Sequence, residues 1–147
     1  MKRICVIDGQ GGGIGSTIIK RLRDQFGEAV EIVALGTNAI ATANMLKARA
    51  NRGASGENAI VQTVDRVDAV VGVVSLLMAH AMMGEVTPAM AEAVAASRAR
   101  KFLLPLNQEH VVIAGASSAP LPRLIDTLIQ EHLVQFVQKE GGRESHV

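Results

Sequence analysis

The run Asp8-Gly9-Gln10-Gly11-Gly12-Gly13-Ile14-Gly15-Ser16-Thr17 follows the apolar segment Ile4-Cys5-Val6-Ile7 and precedes the helical pattern Ile18-Ile19-Lys20-Arg21-Leu22. Strand, glycine loop and helix in that order bring bare backbone N–H groups and a helix N-terminus to one point, which suits an anion. Glycine serves there because a Cβ blocks φ > 0 turns and holds a phosphate away from the backbone. The stretch therefore predicts a phosphate-bearing ligand on Gly9, Gln10, Gly11, Gly12, Gly13, Ile14, Gly15, Ser16 and Thr17. The alternative is that such glycines only permit tight strand-to-helix packing.

Outward from this loop, the chain alternates strands and helices. Residues 3–8 read as an apolar strand. Residues 14–26 read as a helix with Ile14, Ile18, Ile19, Leu22 and Phe26 on one face, stopped at Gly27. Residues 31–35 form a second strand, 39–50 a helix, and 51–58 a polar, glycine-bearing loop. A short strand at 59–63 and a stronger one at 68–74 come next, then an apolar helix over 75–83 that Gly84 breaks. Thr87-Pro88 opens another helix, with Thr as N-cap and Pro at the first helical position. Strands at 101–106 and 111–114 precede a last helix within 120–137. Strands that are apolar throughout indicate a mainly parallel sheet with helices on both faces, a three-layer α/β domain of Rossmann type. Residues 1–137 would form that one nucleotide-binding domain, and 138–147 a polar C-terminal tail.

Composition narrows the classes of function. The formal charge of +1 over 147 residues gives no electrostatic case for nucleic acid, and three Phe without Trp or Tyr remove the stacking platforms of single-strand binders. No segment approaches the roughly 20 apolar residues needed to span a bilayer, so no membrane partner is expected. The chain enters a strand at once without a visible signal peptide, and a cytoplasmic protein is the expectation. The lone cysteine, Cys5, excludes an internal disulfide and reads as a small buried hydrophobe.

The glycines do not match G-x-G-x-x-G from Gly9, since position 14 is Ile; they match G-x-x-x-G-x-G through Gly9, Gly13 and Gly15. Gly13-Ile14-Gly15 resembles the loop of short-chain dehydrogenases, but the Tyr-x-x-x-Lys pair of that family is impossible in a chain without tyrosine. The carboxylate that dinucleotide folds place about 20 residues on, at the end of the second strand, is also missing from Leu35-Gly36-Thr37-Asn38. Asn38 could bond a sugar hydroxyl, and Lys47, Arg49 or Arg52 a 2′-phosphate. Asp8 has two readings: it holds Mg²⁺ between itself and a phosphate, or it accepts N–H bonds from the loop.

Further candidates lie beyond the carboxyl ends of the strands. These are Thr37 and Asn38, which could also cap the next helix, Ser75, Asn107, Glu109, Ser117 and Ser118. Ser55, Gly56, Glu57 and Asn58 form a flexible polar loop suited to close over a ligand, and Glu57 would be its general base. His80 has no partner at ligand spacing and reads as structural or interfacial. The apolar surround of Leu76, Leu77, Met78, Met82 and Met83 points to burial or a homodimer through the 75–83 helix.

Asp8-Gly9-Gln10-Gly11-Gly12-Gly13-Ile14-Gly15, Ala34-Leu35-Gly36-Thr37-Asn38-Ala39-Ile40-Ala41-Thr42 and Gly53-Ala54-Ser55-Gly56-Glu57-Asn58-Ala59-Ile60 together resemble a family of short bacterial proteins of unknown function. Gly84-Glu85-Val86-Thr87-Pro88 and Leu104-Pro105-Leu106-Asn107 fit it too, so the resemblance runs to about residue 137. It implies a Rossmann-like fold and no assigned activity. A looser similarity is to the nucleotide domain of tubulin-like cell-division GTPases, whose glycine loop and Thr/Asn residues occupy comparable places. The chain departs from them at Val73-Val74-Ser75-Leu76-Leu77, which is apolar where they carry a second phosphate loop. That likeness implies three loops converging on one nucleotide.

The expected function is nucleotide or dinucleotide binding, with NAD(P) or a purine nucleotide as ligand and Mg²⁺ as a possible companion. The alternatives are a non-enzymatic sensor or interaction module, or an accessory subunit of a larger enzyme.

Overall fold

The computed structural model of the chain describes residues 1–106 and 110–139. Its centre is β1 (Lys2–Asp8), paired in parallel with β2 (Val30–Gly36) on one side and β4 (Ala69–Val73) on the other. Val6 sits opposite Ala34 and Val71 in the two registers. β3 (Arg52–Ser55) pairs with β2 and β5 (Arg100–Leu104) with β4, giving the order β3-β2-β1-β4-β5, all parallel. From β1 the chain builds outward through β2 to β3, then returns to the other side of β1 for β4. The strand order therefore reverses between β1 and β4, which is where open α/β sheets form their crevice.

β1 from Ile4 onward and all of β4 are buried at every position, so side chains of both faces are covered. α1 (Gly13–Phe26) packs on α2 (Ala39–Lys47) and on α5 (Leu121–Thr127), whereas α3 (Glu57–Thr63) packs on α4 (Pro88–Ala96). α1 buries Gly15, Ile18, Ile19, Leu22 and Arg23, the spacing of one helical face. α5 continues without a break through a π-helical turn, Leu128–Leu133, into α6 (Val134–Gln138). Thr87 caps α4 by accepting the Met90 N–H, and Pro88 opens it.

Four expectations from the sequence are corrected. Residues 52–55 are an edge strand, not a loop. Its exposed residues carry no apolar signal, and backbone pairing with β2 alone makes it a strand. Residues 59–63 belong to α3: Ile60 and Val64 are buried one turn apart, a short apolar pattern that sequence cannot tell from a strand. Residues 75–83 form no α-helix. A 3₁₀ turn, Val74–Leu77, is followed by linked turns with left-handed backbone at His80, Met82, Met83 and Gly84. The dimer expectation thus loses the helical face on which it was based: Leu76 is core, while Met83 is 90% exposed. Residues 111–114 are exposed, and only Val111 makes a bridge; β5 ends before Pro105, which has no N–H for a ladder. Asn107 and Glu109, and the tail beyond residue 139, lie outside the described residues.

At the opposite end of the sheet from the glycine loop, Arg23 is a buried cation (5% exposed) whose guanidinium donates to the carbonyls of Arg49, Gly27 and Val30 and to Asn51 Oδ1. Asn51 Oδ1 also accepts the Ile32 N–H at 2.7 Å. One side chain thus joins the end of α1, the start of β2 and the α2–β3 turn. Truncation would strand these acceptors away from water. Arg23→Ala is expected to lower unfolding free energy by about 3 kcal/mol, read as a lower urea midpoint at unchanged slope.

Candidate functional site

Asp8 ends β1 and is 7% exposed. Its Oδ1 accepts the Gly9 N–H and its Oδ2 the Gly15 N–H, both at 2.7 Å, so one carboxylate spans the strand end and the first turn of α1. Burial pushes its carboxyl up from 3.8. The N–H groups of Gly15 and Gly9 oppose that, the nearby charge of Glu85 adds to it, and the Ile14 N–H opposes it. The loop itself is closed by the Gly12 N–H on the Gly9 carbonyl at 2.9 Å, with Gln10 and Gly12 left-handed.

The glycines fall into two groups. A Cβ on Gly9 would lie 2.7 Å from Thr37 Oγ1, one on Gly12 2.8 Å from the Ala41 carbonyl, and one on Gly15 2.6 Å from Met45 Sδ. Packing requires glycine at these three positions. Gly11 and Gly13 have no positive φ, no atom within 4 Å of a Cβ, and are exposed. Ser16 and Thr17 turn their hydroxyls back, donating to the carbonyls of Gly12 and Gly13. Asn44 Nδ2 steadies the loop from α2 through the Gly11 carbonyl.

A carboxylate that the sequence reading did not select meets this loop. Glu85, from the connection between β4 and α4, accepts on Oε1 the Gln10 N–H at 2.9 Å, the Thr37 hydroxyl at 2.6 Å and the Asn38 amide at 2.8 Å. The Thr37 hydroxyl first, and the Gln10 N–H next, hold its carboxyl below the ordinary 4.5; burial acts the other way, and the Asn38 amide adds to the lowering. Asn38 also caps α2, accepting the Ala41 N–H, and donates to the Gln10 carbonyl. Of the two sequence readings of Asn38, helix cap and sugar contact, the cap is a contact it makes. The signal that could have found Glu85 is the missing carboxylate at the end of β2: something else had to balance the donors gathered there.

Beside the loop, at the reversal between β1 and β4, lies a cavity of about 690 Å³. Asp8, Gln10, Ser75, His80 and His110 are its polar lining; Ile14, Val73, Met78, Met82 and Leu106 are among its apolar lining. Its size suits a small ligand or cofactor. Ser75 is the sequence candidate that joins Asp8, Gln10 and Ile14 here, and His80 lines the cavity where a structural or interfacial role was expected.

Other candidates stand apart from this lining. Ser55 ends β3 and shares a hydrogen bond with Thr42 at 2.7 Å; Gly56 caps α3, which holds Glu57 and Asn58 in its first turn. Glu57 accepts the Thr87 hydroxyl at 2.5 Å. Ser117 accepts the Ala119 N–H in an exposed turn that also contains Ser118. Lys47 and Arg49 are exposed, and Arg52 pairs with Glu31. Cys5 is fully buried, and burial pushes its thiol strongly up, which removes it as a nucleophile. No group of three or more His, Cys, Asp or Glu that could hold a metal ion occurs among the described residues.

An α/β protein with a doubly wound parallel sheet, carrying a ligand-sized cavity where its strand order reverses, is the class this fold and site define. The chain belongs to the family described as a domain of unknown function, DUF3842, whose model matches residues 3–137. No curated protein matches it. Among solved structures it is similar to a probable oxidoreductase from Mycobacterium abscessus, with TM-score 0.46 and 19% identity, covering 74% of this chain and 32% of that one. It thus spans about a third of that protein's length. It is also similar to a dodecameric FMN-dependent UbiX-like decarboxylase from Escherichia coli O157:H7, with TM-score 0.45 and 13% identity, covering 92% and 94%. No helix of the described residues is long and apolar enough to cross a membrane.

The pH dependence of stability follows from the two carboxylates. Glu85, with its value lowered, contributes stability that is full above 4.5 and is lost as pH falls through the lower folded value. Asp8, with its value raised, runs the other way: its contribution is full below 3.8 and lost as pH rises through the folded value. The melting-temperature advantage of the wild-type chain over Glu85→Gln should therefore shrink between about pH 5 and pH 3. A constant difference would mean that the charge of Glu85 contributes nothing.

Proposed function

We propose that this protein binds a nucleotide or dinucleotide in the crevice between β1 and β4, with its phosphate on the backbone of the glycine loop. The observation that carries this reading is the pair Gly11 and Gly13. Neither conformation nor packing accounts for glycine at these positions. A ligand lying directly against the backbone does, since a Cβ would hold a phosphate off the N–H groups. Gly13 is also the first residue of α1, where unpaired N–H groups and the helix dipole favour an anion. The adjoining cavity offers apolar space for the rest of the ligand, with Ser75, His80 and His110 in its lining.

Asp8 acts in this reading as the brace of the loop, because each of its oxygens already accepts a backbone N–H. Thr37 and Asn38 border the loop on the β2 side. Residues 55–58 remain the candidates for closing over the ligand from beyond β3.

The test is a dye-based thermal shift with NAD, NADP, ATP, GTP and FMN, each with and without Mg²⁺. A ligand at a hundredfold excess over Kd adds about 2.7 kcal/mol, a shift of several degrees. Gly11→Ala and Gly13→Ala should retain or slightly raise the unliganded stability, by the ~0.4–1 kcal/mol typical of Gly→Ala at compatible positions, while losing most of the ligand shift. The absence of any shift for all five compounds in the wild-type chain overturns the proposal. So do alanine variants that bind as tightly as wild type.

A further inference from the structure

The end of β2 gathers hydrogen-bond donors without a carboxylate of its own. Into that place comes Glu85, 47 residues beyond Asn38, and the Gln10 N–H, Thr37 hydroxyl and Asn38 amide all converge on its Oε1. Three donors on one oxygen anchor the carboxylate at Oε1. Among the described residues nothing donates to Oε2, which leaves a free acceptor beside the glycine loop.

A free carboxylate oxygen takes an O–H or N–H donor and repels an anion. Asp8 adds to that selectivity, since the two carboxylates lie close enough for the charge of Glu85 to act on Asp8. The β2 side of the loop is therefore matched to a hydroxyl-bearing group. The open backbone at Gly11 and Gly13 is matched to a phosphate, and the lining of Met78, Met82 and Leu106 to an apolar ring. Gln10 joins these features, since its N–H donates to Glu85 and it lines the cavity.

We propose that Glu85 is the sugar-binding, specificity-determining residue of this protein, accepting a hydrogen bond from the 2′-hydroxyl of a ribonucleotide and rejecting a 2′-phosphate. This rests on the reading of the crevice as a nucleotide site. Thr37 is a positioning residue, whose hydroxyl orients the carboxylate. Glu85 reaches by tertiary contact the place where dinucleotide folds ordinarily put an acid at the end of the second strand.

Calorimetric titration of the full chain with two probe pairs tests this: NAD against NADP, and ATP against 2′-deoxy-ATP. The wild-type chain should prefer NAD and ATP by at least about tenfold, because a site built around a hydroxyl discriminates strongly against ligands that lack or block it. Glu85→Gln keeps an oxygen for Gln10, Thr37 and Asn38 but replaces the free acceptor with an amide donor. It should weaken NAD and ATP by about tenfold and collapse both preferences. Thr37→Val, which leaves the carboxylate in the chain, should reduce both preferences without abolishing binding. A purely structural role would lower the melting temperature and leave the ratios alone. Unchanged ratios in both variants overturn the assignment of Glu85 while the nucleotide site stands. Failure of the wild-type chain to bind any of the four probes overturns the assignment together with the nucleotide site.

Discussion

The Asp8 carboxylate is the contact on which the rest of this site depends. It sits at the end of the central strand, shielded from water, and draws the Gly9 and Gly15 N–H groups onto its two oxygens. Those bonds set where the chain leaves the sheet and where α1 begins. They also take up two of the loop's own donors. Gly11 and Gly13 remain exposed, with open space where a Cβ would stand. Burying a carboxylate without such partners would cost more, and the loop N–H groups offset part of that cost.

A second carboxylate holds the same loop from the far side of the sheet reversal. Residues 78–86 follow β4 through a series of tight turns, with His80, Met82 and Met83 in left-handed conformations that cost free energy for residues carrying a Cβ. The His80 N–H bonds the Val86 carbonyl at 2.6 Å, and buried Val86 fastens the segment's end to the core. The conformation brings Glu85 to three donors and Met82 against Gly9. Strained backbone concentrated next to a cavity is a common mark of a functional segment, since packing alone has cheaper solutions.

The fold was legible where burial is two-sided. The apolar runs of β1, β2 and β4 and the single apolar face of α1 carry their periodicity openly, and the Thr87-Pro88 start of α4 is a local signal. It was not legible where an element is held by backbone pairing or by distant partners. β3 is exposed throughout and exists because β2 offers it an edge. The apolar residues of 75–83 suggested a helix because composition records hydrophobicity but not the turn bonds and positive φ that shape the segment. Residues 111–114 looked like a strand, yet they do not extend the sheet.

The candidate site divides along the same line. Sequence alone determined the glycine loop, its position between a strand and a helix, and the proximity of Thr37 and Asn38, because these follow from neighbouring elements and from β2 lying beside β1. Only the tertiary structure decided which glycines packing requires, since that depends on Met45, Ala41 and Thr37 approaching from other elements. It alone decided that Asp8 is a brace held by backbone N–H groups, and that the cavity lies between β1 and β4. It alone brought Glu85 to Gln10, 75 positions away. Strand order sets such meetings, and strand order is fixed by the burial of the whole sheet, which no local stretch of sequence encodes.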